Sequence, residues 1–221
     1  KHIEKVEIRF LKHEDISTRG SFYDGVGALR DVGQNHILQM LALVTMENPG
    51  SMEARGIREA RRKILEKVTG GGREAGSWVT RGQYEGYKNE QGVRHDSQTE
   101  TYFKITARIE NNRWRGVPFL LESGKALAES RVSIAVYFKP SFCLCPEKHK
   151  EPHQNVLTFN ISHQENISIL LPQCLFNKDF LRKYILLFFI LSFLHVSHSQ
   201  FSFISTSHFD SYLCIRQTNH I

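Results

Sequence analysis

Cysteine is scarce in this chain: four in 221 residues, at positions 143, 145, 174 and 214. So few, so irregularly spaced, cannot staple a chain this long into a disulfide scaffold, and reduced thiols in a cytoplasmic protein are the expectation. Cys143-x-Cys145 with His149 and His153 does not offer the two-to-four-residue spacing of paired zinc cysteines, so no metal site is expected. Acidic residues are also in deficit, 23 against 29 Lys and Arg, for a net charge of +6. The basic residues are scattered, with Arg61-Arg62-Lys63 the densest cluster. No aromatic-interleaved basic stripe accompanies them, which argues against nucleic acid as a partner. Apolar runs are short: residues 184–196 fall well under the ~20 that a spanning helix needs, so no membrane anchor is expected. No signal peptide or initiator methionine opens the chain, and Lys1-His2-Ile3-Glu4-Lys5-Val6 reads as the middle of a strand. The sequence therefore reads as a piece of a longer protein.

What is present is an ordinary globular mix, 40% apolar and 24% charged, with length for one large domain or two small ones. Residues 6–10 alternate as a strand with one buried face. Residues 13–27 read as turn and loop, punctuated by Gly20, Gly25 and Gly27. A mostly buried helix over about 28–47 follows and stops before Pro49. A charged, exposed helix over 51–68 opens with Ser51 as its cap, and 69–98 is loop-rich. From residue 99 the period becomes two: 99–109, 132–138 and 156–161 read as strands of one antiparallel sheet, with a turn, a short strand and a tight loop over 114–127. Helices followed by runs of strands imply an α+β domain, with helices packed on a mostly antiparallel sheet. Gly70-x-Gly72-x-x-Ala75 formally matches a dinucleotide fingerprint. It follows a helix and enters a loop, where the motif needs a strand before it and a helix after it, so a Rossmann domain is judged absent. After about residue 169 both periods vanish. Residues 1–169 are expected to form the domain and 170–221 a poorly ordered tail.

His36 is the candidate catalytic base. An imidazole titrates near neutrality and can take a hydroxyl proton as hydride leaves the same carbon. Arg30, Asp31, Gln34, Asn35 and His36 crowd five polar groups into seven residues of an otherwise apolar helix. Burying them without partners would be costly, so they are expected to line a polar cavity. Asp31 and His36 lie five positions apart, roughly 140° around a regular α-helix, so they should not pair directly. Asp31 is read either as a substrate-hydroxyl acceptor or as an ion-pair partner of Arg30 or Arg19. Lys125, behind Gly124 in a tight loop, suits an ammonium reaching a sugar hydroxyl or a phosphate.

Several blocks then fall in one order: Arg19-Gly20, Asp24, Arg30-Asp31, Gln34-Asn35-His36 and Met46-Glu47-x-Pro49; Arg81-Gly82-Gln83-Tyr84; Thr99-Glu100-Thr101; Trp114-x-Gly116-Val117-Pro118-Phe119; Gly124-Lys125; Asn155-Val156-Leu157 and Glu165. This order resembles the C-terminal domain of the glucose-6-phosphate dehydrogenase family over roughly residues 3–169. The resemblance implies oxidation of D-glucose 6-phosphate to 6-phosphoglucono-lactone in the oxidative pentose phosphate pathway, with hydride passing to NADP. It implies that His36 deprotonates the C1 hydroxyl, that Asp31 binds the sugar, and that Lys125 contacts the substrate. The family's next basic contact falls on Ser130 by strict spacing, or on Arg131 one position later. The family's strand-end glutamate aligns with Lys12, and Glu14 is the nearest acid. The coenzyme domain, with the aspartate that pairs with the catalytic histidine, is not in the matching stretch. This polypeptide alone is therefore expected to be inactive. A homo-oligomer is implied for the full-length protein, and a non-catalytic oligomerisation module is the alternative reading.

Overall fold

The computed structural model describes residues 2–72, 78–140, 154–161 and 166–170. Expectations about the Cys143-x-Cys145 segment and about residues 171–221 lie outside the described residues. Strand β1 (Ile3–Leu11) leads through a 3-10 turn (Ser17–Arg19) into α1 (Gly20–Ala28), a π-helix (Leu29–Ile37) and α2 (Leu38–Thr45). Helix α3 (Ala54–Leu65) follows, then β2 (Val68–Gly70), β3 (Val79–Gly82), β4 (Tyr102–Ile109), β5 (Phe119–Gly124), β6 (Arg131–Phe138), β7 (Val156–Asn160) and β8 (Asn166–Leu170).

These strands form one eight-stranded sheet in the order β2-β4-β5-β1-β6-β7-β8, with β3 beside β2 along the same edge of β4. Every pairing is antiparallel except β1 with β5, which run parallel with Leu11 opposite Gly124. The α+β reading holds, with that one parallel pair inside a mostly antiparallel sheet. The helices pack on one sheet face, over Val6 and Ile8 of β1, Phe103 and Ala107 of β4, and Phe119 and Leu121 of β5, all buried. The alternate residues Glu7, Arg9 and Glu122 form an ion-pair ladder on the other face, as a period of two requires.

Three local expectations need correcting. The loop expected over 13–27 is largely helical, because Gly20 signals close approach rather than a turn: a Cβ there would lie 2.1 Å from the Gln91 carbonyl oxygen. The helix expected from 28 to 47 is not uniform. Gly27, at φ 75° and ψ 168°, breaks it from α1, and its first nine residues are wound as a π-helix. The helix expected over 51–68 runs only over Ala54–Leu65, and Val68 joins the sheet opposite Ile109. Ser51 Oγ does accept the Glu53 N–H at 3.1 Å, just ahead of the helix. Tertiary pairing overrode local propensity at Val68.

Candidate functional site

The parallel pairing of β1 and β5 puts both C-terminal ends at one rim of the sheet. Lys12 N–H donates to the Gly124 carbonyl at 3.0 Å, and the chain from Gly124 to Leu127 folds back onto residues 12–14. Leu127 N–H reaches the Lys12 carbonyl at 3.0 Å and Ala126 N–H the Glu14 carbonyl at 3.0 Å, with Ala126 held at φ 54°. Lys125 is thereby presented from a loop pinned on both sides, its own N–H bonded to the Thr101 carbonyl at 3.0 Å.

The Lys125 side chain is half-buried, and its charged neighbours are Asp31, Arg19, Lys12 and Glu14. Burial lowers the ammonium below the usual lysine value, and Lys12 and Arg19 add to this while Asp31 and Glu14 oppose it. A half-desolvated cation with two further cations nearby is suited to an anionic group. Asp31 is an ion-pair neighbour of Arg19 at 4.0 Å, so Arg19 rather than Arg30 is its partner among the described residues. Arg131, at the start of β6 and opposite Leu11, stands on the same rim but donates to Glu129 at 2.8 Å. Ser130, the alternative to Arg131, is engaged: it accepts the His13 N–H at 2.8 Å and donates to Glu14 at 3.2 Å. Glu14 is therefore committed to Ser130, while Lys12 extends its ammonium 5.7 Å from the centre of the Phe10 ring.

The π-helix alters the relation between Asp31 and His36. Its hydrogen bonds run i→i+5, as Leu38 N–H to the Gly33 carbonyl shows, so residues five apart are separated by much less rotation than in an α-helix. The 140° separation calculated for an α-helix does not apply, and Asp31 and His36 fall on nearly one face. They still do not bond: among the described residues the His36 ring has an aromatic contact and no side-chain hydrogen bond. It stacks on Phe10 with centroids 5.4 Å apart and planes 27° from parallel. Nor do the five polar residues line a buried cavity. Arg30, Gln34, Asn35 and His36 are exposed and only Asp31 is half-buried; Asn35 Nδ2 donates to the Asp31 carbonyl at 3.3 Å.

The structure thus brings Asp31, His36, Lys125 and Lys12 to one rim and leaves Arg131 to its acid neighbour. Sequence reasoning passed over Phe10, the platform under His36. Its only signal was alternation that put it on the face of Val6 and Ile8. Asp24 was legible as part of a motif, and its role is structural. It is buried, and it accepts from Tyr87 at 3.2 Å, Arg94 at 3.0 Å and the Ser97 hydroxyl, tying α1 to the loop before β4. Of the glycine-rich segment, residues 70–72 are among the described residues. Gly70 pairs with Ala107 at the sheet edge, Gly71 N–H donates to the Thr106 carbonyl at 2.8 Å, and a Cβ on Gly70 would strike Trp78 at 2.6 Å. Gly70 and Gly71 thus serve close packing against β4 and Trp78.

Residues 1–179 match the family model described as glucose-6-phosphate dehydrogenase, C-terminal domain. The chain belongs to this family. Among its curated relatives, a cytoplasmic glucose-6-phosphate 1-dehydrogenase of Arabidopsis thaliana is 41% identical over 138 residues, 62% of this chain and 26% of the relative. The enzyme of Chlamydia pneumoniae is 39% identical over 150 residues, 63% of this chain and 29% of the relative. The crystal structure of the Mycobacterium avium glucose-6-phosphate 1-dehydrogenase superposes with a TM-score of 0.69 at 35% identity, covering 77% of this chain and 37% of that one. A glucose-6-phosphate dehydrogenase solved in complex with its substrate glucose-6-phosphate gives a TM-score of 0.66 at 32% identity, covering 75% and 35%. The chain therefore spans well under half the length of these glucose-6-phosphate dehydrogenases. No helix of the described residues is long and apolar enough to cross a membrane.

Proposed function

We propose that this chain carries the substrate half of a cytoplasmic, homo-oligomeric glucose-6-phosphate dehydrogenase, which oxidises D-glucose 6-phosphate to 6-phosphoglucono-lactone with NADP in the oxidative pentose phosphate pathway. The observation that carries the reading is the convergence of His36, Asp31 and the half-buried Lys125 at one rim. In this reading the His36 imidazole accepts the C1 hydroxyl proton, Asp31 accepts a hydrogen bond from a sugar hydroxyl, and Lys125 holds the anionic end, with Arg131 as a further cation on the same rim. Residues 1–169 act as this domain. In this reading NADP, and the carboxylate that orients His36, are held by a coenzyme domain that the matching stretch does not include.

The chain alone, mixed with NADP and glucose 6-phosphate, should give no reduced-nicotinamide absorbance. Joined to a relative's coenzyme domain it should turn over, and His36→Asn in that hybrid should lower kcat by about 100-fold or more with KM little changed. A hybrid whose kcat ignores His36→Asn overturns the assignment.

A further inference from the structure

The tripeptide Thr99-Glu100-Thr101 bonds to α1, to the start of the π-helix and to the loop that carries Lys125. Thr99 Oγ1 donates to the Asp24 carbonyl in α1 at 2.6 Å. Glu100 holds two donors at the start of the π-helix: its carbonyl accepts the Ala28 N–H at 2.9 Å, and its carboxylate Oε1 the Leu29 N–H at 3.1 Å. The Thr101 carbonyl accepts the Lys125 N–H at 3.0 Å. Gly27 stands at the break between α1 and the π-helix, and a Cβ there would lie 2.6 Å from Glu100 Oε1. Glycine leaves the chain bare at a place where a side chain would displace that carboxylate.

The first N–H groups of any helix lack an internal partner, and a carboxylate at that end also gains from the helix dipole. Where the first bond is made decides the rotation of every residue counted from it, and Asp31 and His36 follow within two turns. We infer that Glu100 is a positioning residue of the candidate site: its carboxylate caps the π-helix and sets the rotation of Asp31 and His36 relative to Lys125. This rests on the reading of that rim as the glucose 6-phosphate site. What matters is reach. Glutamine keeps an oxygen at the same distance, aspartate withdraws it by one methylene, and alanine removes it.

The test compares the full chain with Glu100→Gln, Glu100→Asp and Glu100→Ala, at a temperature where circular dichroism shows each folded. The His36 ring protons report, by NMR, the position of the ring over Phe10. The Trp114 indole N–H, bonded to the Thr45 carbonyl at 2.9 Å, reports the packing of the core. Glucose 6-phosphate affinity is read by phosphorus NMR. Glu100→Gln should keep His36 in place and the affinity within about twofold. Glu100→Asp and Glu100→Ala should shift the His36 signals and weaken binding by roughly tenfold, the scale of one hydrogen bond to a charged acceptor, with Trp114 unmoved. If the alanine variant does not fold, the Asp and Gln variants decide the question. Unmoved His36 signals in Glu100→Asp, Glu100→Gln behaving as Glu100→Ala, or Trp114 moving together with His36 would each overturn the inference. If the wild-type chain does not bind glucose 6-phosphate, the substrate reading fails by itself, and the His36 signals still decide the role of Glu100.

Discussion

Replacing Asp24 with alanine removes one buried carboxylate and strands three donors at once, the Tyr87 and Ser97 hydroxyls and the Arg94 guanidinium. Arg94 is 70% exposed along its side chain, so it turns to water at little cost. Tyr87 and Ser97 are buried and have no such recourse. Two stranded buried hydroxyls at about 1–2 kcal/mol each put the loss near 3 kcal/mol, or roughly 6–12 °C in Tm for a domain of this size. Asp24→Asn keeps the shape and one acceptor and should lose about half as much. Urea unfolding followed by tryptophan fluorescence measures both, provided that m is unchanged. Burial alone would push the Asp24 carboxyl up, but the hydrogen bonds from Ser97, Arg94 and Tyr87 outweigh it and hold the group below its ordinary 3.8. A folded value below the unfolded one makes this contribution complete above 3.8 and lost as pH falls through the folded value. The stability gap between wild type and Asp24→Asn should therefore narrow on acidification below that point. A loss under about 1 kcal/mol for Asp24→Ala, or a gap indifferent to pH, would refute the reasoning.

Gly27→Ala places a Cβ 2.6 Å from Glu100 Oε1 on a backbone at φ 75°. It should cost about 3 kcal/mol by thermal unfolding, and a cost below 1 would mean that the junction is freer than its geometry indicates. The Tyr23 hydroxyl is buried without a partner among the described residues, and burial, with the charges of Asp31 and Glu100, drives its phenol pKa far upward. Tyr23→Phe should be neutral or gain up to about 1 kcal/mol in the same assay, and a clear loss would reveal a partner for the hydroxyl.

The α+β class was legible because burial imposes a period. Val6, Ile8 and Phe10 alternate in β1, and Ile105, Ala107 and Ile109 alternate in β4, and no fold can hide that pattern. Glycine was the weak point of the reading. Gly20 looks like a turn and opens a helix, and its bareness answers to Gln91, far along the chain. His36, Asp31 and Lys125 could be nominated from residue type, neighbours and family pattern, whereas Phe10 and Glu100 have ordinary types for their elements and gave no such signal.

The order of motif blocks in the sequence carried the resemblance to the family, and periodicity, a local property, carried the succession of helices and strands. Whether the candidate site residues meet was decided in three dimensions. The parallel β1–β5 pairing alone brings Lys12 and Lys125 to one rim, and the π winding alone puts Asp31 and His36 on one face. Contacts between segments more than 60 residues apart stand beside both, Lys12 with Gly124 and Leu29 with Glu100, and no window along the chain contains them.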